Sequence, residues 1–129
     1  MPSGTCVLYR TGSDDVQRGL RHRTAAPLWT LLIVGLCSIP GTELPDVPVL
    51  HLDKLVHLSL FAMFAVLWLI RHPRVGLVYV AIFGAALAIV TEPYQGWLSL
   101  GRVPDPFDAV ANLVGLAIGI ALGTRLRRR

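Results

Sequence analysis

Four carboxylates, two cations, an imidazole and two amides stand in short stretches beside long apolar runs: "DKLVH" at 53–57, "EPYQ" at 92–95 and "GRVPDPFDAVANLVG" at 101–115. Carboxylates with a histidine can move protons or activate water, and an arginine offers a planar fork to phosphate or carboxylate. The spacing groups them further. Asp53 and His57 are four apart, Lys54 and His57 three apart, Glu92 and Gln95 three apart, and Asp108 and Asn112 four apart. On a helix each set shares one face. Three helix ends would therefore bring Asp53, Lys54, His57, Glu92, Gln95, Asp108 and Asn112 together, with Asp105 and Arg102 in the loop beside them.

The elements that position these groups are apolar. The 129-residue chain is 53% hydrophobic and 16% charged, too apolar for an ordinary soluble domain. Apolar runs fill 25–39, 55–70, 75–90 and 107–123, each about 15 to 17 residues and a little short of the ~20 needed to cross a ~30 Å hydrocarbon core. Counting the polar turns as helix lengthens the last three to 53–70, 75–95 and 105–124, so the polar groups belong near one face of the bilayer. The expected architecture is an all-α membrane protein: four transmembrane helices in a compact bundle.

Basic residues orient it. Of the 12 lysines and arginines, only Lys54 and Arg102 fall outside the leader, the 71–74 turn and the last residues. Cytoplasmic segments are enriched in these residues, which places both termini in the cytoplasm and the polar groups on the extracytoplasmic side. Residues 1–24 read as a flexible basic cytoplasmic tail, 25–124 as the membrane domain and 125–129 as a basic cytoplasmic end. The first run, lacking a small-x-small cleavage site, reads as a membrane helix rather than a signal peptide. The tight "RHPR" turn makes the second and third helices antiparallel neighbours, and Asp105 before Pro106 marks an N-cap.

Ala111, Gly115, Gly119 and Gly123 form a small-xxx-small ladder that allows close helix approach, within one chain or between two. Several groups also have plainer readings. Asp53 and Lys54 suit a solvated helix start, Asn112 a single interhelical hydrogen bond, and Trp29, Trp68 and Trp97 interfacial anchors. Pro93 tells against a regular turn beside Glu92. Cys6 and Cys37 lack the spacing of a disulfide framework or zinc site, no H-E-x-x-H or other metal signature occurs, and no cofactor is expected. Without a stripe of interleaved basic and aromatic residues, nucleic acid is not an expected partner.

In order and spacing, D-K-x-x-H, then E-x-x-Q, then Arg102, Asp108, Asn112 and Gly115 resemble the VanZ-like family over 29–123. The segment between Gln95 and Arg102 is slightly longer than that pattern, and Pro93 and Pro106 are less usual. The resemblance implies a small integral membrane protein of the bacterial cytoplasmic membrane, related to one that confers low-level teicoplanin resistance by reducing drug binding at the cell surface. It implies no enzymatic mechanism.

The leading expectation is an outer-leaflet recognition site, where Arg102, Lys54 and His57 engage an anionic lipid or cell-wall precursor headgroup and Asp53, Glu92, Asp108 and Asn112 orient them. The alternative is a hydrolase or transferase acting on a lipid-linked phosphate, by water activation or with a divalent metal. A small proton-coupled transporter fits less well, because Glu92 sits near a helix end rather than at the midplane. The remaining expectation is a structural or partner-binding role.

Overall fold

The computed structural model describes residues 12–39, 50–97 and 105–128, and every regular element among them is an α-helix. These are α1 (Gly12–Cys37), α2 (Leu50–Arg71), α3 (Leu77–Trp97) and α4 (Pro106–Arg127). Three segments are long and apolar enough to cross a membrane: Leu52–Arg71, Leu77–Tyr94 and Pro106–Arg127. The apolar part of α1, Arg23–Cys37, is shorter.

α2 lies at the centre. Phe61, Phe64, Ala65 and Leu69 recur at helical spacing, and their stripe is buried against Ile33 of α1, Val80 and Ala88 of α3, and Leu116 of α4. The Phe64 ring sits 6.3 Å from Phe61, 6.2 Å from Trp68 and 5.8 Å from Phe83, all tilted, as aromatic quadrupoles prefer. The outward faces stay apolar: Leu55, Ile82, Ile89, Val110 and Leu122 are exposed, a surface suited to hydrocarbon.

The tightest helix pair is α2 with α4, and the glycine ladder explains it. A Cβ added to Gly115 would lie 2.8 Å from the carbonyl carbon of Leu58, and one on Gly119 the same distance from that of Ala62. Side chains there would overlap α2 backbone, so the ladder packs within one chain. Gly123 faces the Leu69 side chain. At the far end the Arg127 guanidinium donates to the Pro73 carbonyl, tying the end of α4 to the turn between α2 and α3.

α1 is held by directed hydrogen bonds. Trp29 Nε1–H donates to the Leu60 carbonyl at 2.9 Å, and Trp68 Nε1–H to Thr30 Oγ1 at 3.1 Å. These two tryptophans are interhelical ties rather than free interfacial anchors; Trp97 is exposed. Pro27 lies inside α1 and has no N–H to offer the carbonyl four residues back, that of Arg23. His72 Nε2–H, from the α2–α3 turn, donates to that carbonyl at 3.0 Å.

Two observations depart from the sequence reading. α3 continues through Pro93 to Trp97. Pro93 and Ile89 both face outward, so the crowded carbonyl can tilt away from the bundle without disturbing its packing. α1 begins at Gly12, inside the segment read as a mobile tail. The apolar part that follows supplies the costly nucleus from which this helix extends. Residues 1–11, the 40–49 segment, the 98–104 segment with Arg102, and Arg129 lie outside the described residues.

Candidate functional site

The start of α2, the end of α3 and the start of α4 meet at one end of the bundle. α4 begins where expected: Asp105 has extended backbone (φ −107°, ψ 109°), its Oδ1 accepts from Phe107 N–H at 2.9 Å, and Pro106 is the first helical residue. The second oxygen of this cap reaches across to α2. Lys54 Nζ donates to Asp105 Oδ2 at 2.8 Å and to Asp108 Oδ1 at 3.0 Å, and lies 5.9 Å from the centre of the Phe107 ring. The Lys54 hydrogen bond, then the Phe107 N–H, holds the Asp105 carboxyl below the usual carboxylate range, so this pairing outlasts mild acidification.

One turn deeper, His57 Nδ1 lies 3.0 Å from Asn112 Oδ1. An amide oxygen only accepts, so Nδ1 carries the proton and donates. Nε2 then points between two carboxylates, 3.8 Å from Asp53 Oδ1 and 4.0 Å from Asp108 Oδ2. Both separations are too long for hydrogen bonds. Asp53, His57 and Asp108 each present one ligand atom, all within 4.8 Å of one another. The sequence reading assigned no metal here, because Asp108 stands far from His57 along the chain and no spaced motif joins them.

Glu92 closes the α3 side. It is 7% exposed, neither carboxylate oxygen has a hydrogen-bond partner of normal geometry, and the ionisable groups around it are Asp108, His57 and Asp105, whose backbone N–H also turns toward it. Neighbouring Thr91 offers it nothing, since its hydroxyl turns back to the Ala88 carbonyl at 3.1 Å. Asn112 is fully buried and its Nδ2 also lacks a partner. A buried unsatisfied polar group costs about 1–3 kcal/mol. Glu92→Met, of similar volume and no polarity, is therefore expected to raise the melting temperature of the detergent-solubilised protein by an amount equivalent to about 1–3 kcal/mol. An unchanged or lowered melting temperature would show that Glu92 serves the fold.

Of the residues singled out in the sequence, Asp53, Lys54, His57, Glu92, Asp108 and Asn112 do come together. The side chain of Gln95 and all of Arg102 fall outside the described residues. Lys54 differs from its expected role: its ammonium is committed to Asp105 and Asp108 rather than presented to an anion. Asp105, expected mainly as a cap, is also a charge partner. The buried members Asp108, Asn112, Gly115 and Gly119 lie on one face of α4, so the polar cluster and the glycine ladder are one continuous surface against α2.

Comparison with known proteins finds no matching family model, no matching curated protein and no matching solved structure.

Proposed function

We propose that this chain is a VanZ-like protein of the bacterial cytoplasmic membrane. It crosses the bilayer four times with both termini in the cytoplasm, and its polar cluster receives the headgroup of an anionic lipid or lipid-linked cell-wall precursor on the outer side. The observation that carries this reading is the surplus hydrogen-bonding capacity of a buried network: both oxygens of Glu92 and Nδ2 of Asn112. A network that served packing alone would satisfy its own members. Groups left over at headgroup depth are the ones a polar ligand would use.

Charge distribution supports the sidedness. Arg71, Arg74, Arg125 and Arg127 belong to the opposite end from the cluster, as expected for a cytoplasmic face. α1 spans with its shorter apolar part by local thinning of the bilayer and snorkelling of its flanking residues. A largely apolar groove of about 360 Å³, lined by Trp29, Leu52, Leu55, Val56, Leu60 and Met63 with Ser59 among them, begins one residue before Asp53 and suits a hydrocarbon tail. With Lys54 already paired, Arg102 is the side chain assigned to the anion. Photo-crosslinking with a lipid-linked precursor tests this: the double variant Arg102→Ala with Glu92→Ala should lose labelling, and undiminished labelling overturns the reading.

One observation favours a second reading, a hydrolase or transferase on a lipid-linked phosphate: His57 Nε2 is set between two carboxylates with Nδ1 held by Asn112, as a proton-transfer group would be. Turnover of a polyprenyl-phosphate substrate that disappears in His57→Gln would establish it.

A further inference from the structure

Among the described residues, the cluster holds four carboxyl groups, Asp53, Glu92, Asp105 and Asp108, and one fixed cation, Lys54, which pairs with Asp105 and Asp108. An anion arriving here meets net negative charge. We infer that Asp53, His57 and Asp108 bind one divalent transition-metal ion at the junction of α2 and α4, and that this ion bridges the acidic cluster to the phosphate of the incoming headgroup. The bridging role rests on the headgroup reading above; the ion site itself does not.

The three ligand atoms lie within 4.8 Å of one another, a span that a small side-chain movement closes onto one ion. Bonds of about 2.0–2.2 Å to imidazole nitrogen and carboxylate oxygen put two ligand atoms of one ion about 3–4 Å apart. The 3.8 and 4.0 Å gaps between Nε2 and the two carboxylates lie in that span and outside hydrogen-bond range. Asn112 does for His57 what outer partners of metal-bound histidines do: it accepts the Nδ1 proton, fixes the ring and leaves the Nε2 lone pair facing the ion.

Glu92 is the independent sign that something positive belongs here. It is 7% exposed, both oxygens lack a hydrogen-bond partner of normal geometry, and its ionisable neighbours include two of the three ligands, Asp108 and His57, together with Asp105. An ion among these ligands, or a water bound to it, supplies the missing partner. The Asp53 side chain is 56% exposed, so the site is open on the headgroup side. Three protein ligands leave coordination positions for a phosphate oxygen. One nitrogen and two carboxylate donors suit zinc or manganese better than calcium or magnesium, which favour all-oxygen sites.

The test uses the purified full chain, without a histidine tag, in detergent lacking added lipid. Calorimetric titration should show one saturable Zn²⁺ or Mn²⁺ per chain, with Mg²⁺ and Ca²⁺ binding more weakly. Asp53→Asn, at an exposed position, should weaken Zn²⁺ affinity by about tenfold or more, and Asp108→Asn likewise. No saturable binding by the wild-type chain, or binding unchanged in both variants, overturns the inference. Precursor crosslinking with and without EDTA separates the two readings. Labelling that survives EDTA in a chain that binds no ion overturns the ion site and leaves the headgroup reading standing. Ion binding without any labelling upholds the site and overturns the headgroup reading.

Discussion

Gly115→Leu is expected to abolish the native bundle, with a loss above about 3 kcal/mol and no cooperative melt in detergent. The position has no space for even one carbon: a Cβ would meet the carbonyl oxygen, carbonyl carbon and Cα of Leu58, all backbone atoms that no rotamer change can clear. Gly115→Ala is the sharper form of the experiment. Alanine is the better helix former by about 1 kcal/mol, so propensity alone would make it stabilising. Here steric exclusion wins, because α2 must shift away along the same surface that holds His57 against Asn112. Gly35→Ala is the control, with nothing within 4 Å of the added carbon, and should be neutral or stabilising. A Gly115→Ala protein that melts at or above the wild-type temperature would contradict the close approach of α2 and α4.

Asn112→Ala has the second largest expected effect, a loss of about 2 kcal/mol. Asn112 is fully buried and its Oδ1 is the hydrogen-bond partner of His57 Nδ1, itself within a residue only 7% exposed. An average interhelical hydrogen bond in a membrane is worth about 0.6 kcal/mol, and on that figure the variant would be mild. The larger loss follows from what remains: an imidazole N–H with no acceptor, desolvated between two helices. The cycle with His57→Phe separates the two contributions. Removing both partners should recover most of the stability, because no orphaned donor is left. Thermal melts of the wild type, both single variants and the double variant measure this, and strict additivity would show that the two side chains do not act as a pair.

Much of this arrangement is legible along the chain, for physical reasons that differ by element. The helices announce themselves because lipid demands long apolar runs, and α4 starts at an Asp-Pro pair whose chemistry is local. The polar ends of α2, α3 and α4 can be read because helical periodicity places i and i+4 on one face. Long-range pairings cannot be read in this way. Lys54 looks free in its own motif; its partners, Asp105 and Asp108, lie some fifty residues away and reach it only because the glycines draw α4 onto α2. The grouping of Asp53 and His57 with Asp108 is hidden for the same cause. The tight turn between α2 and α3 draws attention to that pair, yet backbone approach is closest between α2 and α4. Nor does the sequence show that a proline in α1 frees a carbonyl for a histidine two helices' length away, since that bond depends on where the α2–α3 turn lands.

The pairing of α2 with α4 also sets an order of assembly. A chain made from its N-terminus presents α2 to the membrane before α4 exists, so Lys54 and His57 enter without Asp105, Asp108 or Asn112 to meet them. Until α4 joins it, the hairpin of α2 and α3 carries Lys54 and His57 without these partners. Its completion is the moment at which the glycine face, the cap at Asp105 and the imidazole lock engage together. A nascent chain cut short before α4 would retain those exposed groups within the bilayer, the kind of flaw by which a membrane quality-control protease can distinguish an unfinished copy from a finished one.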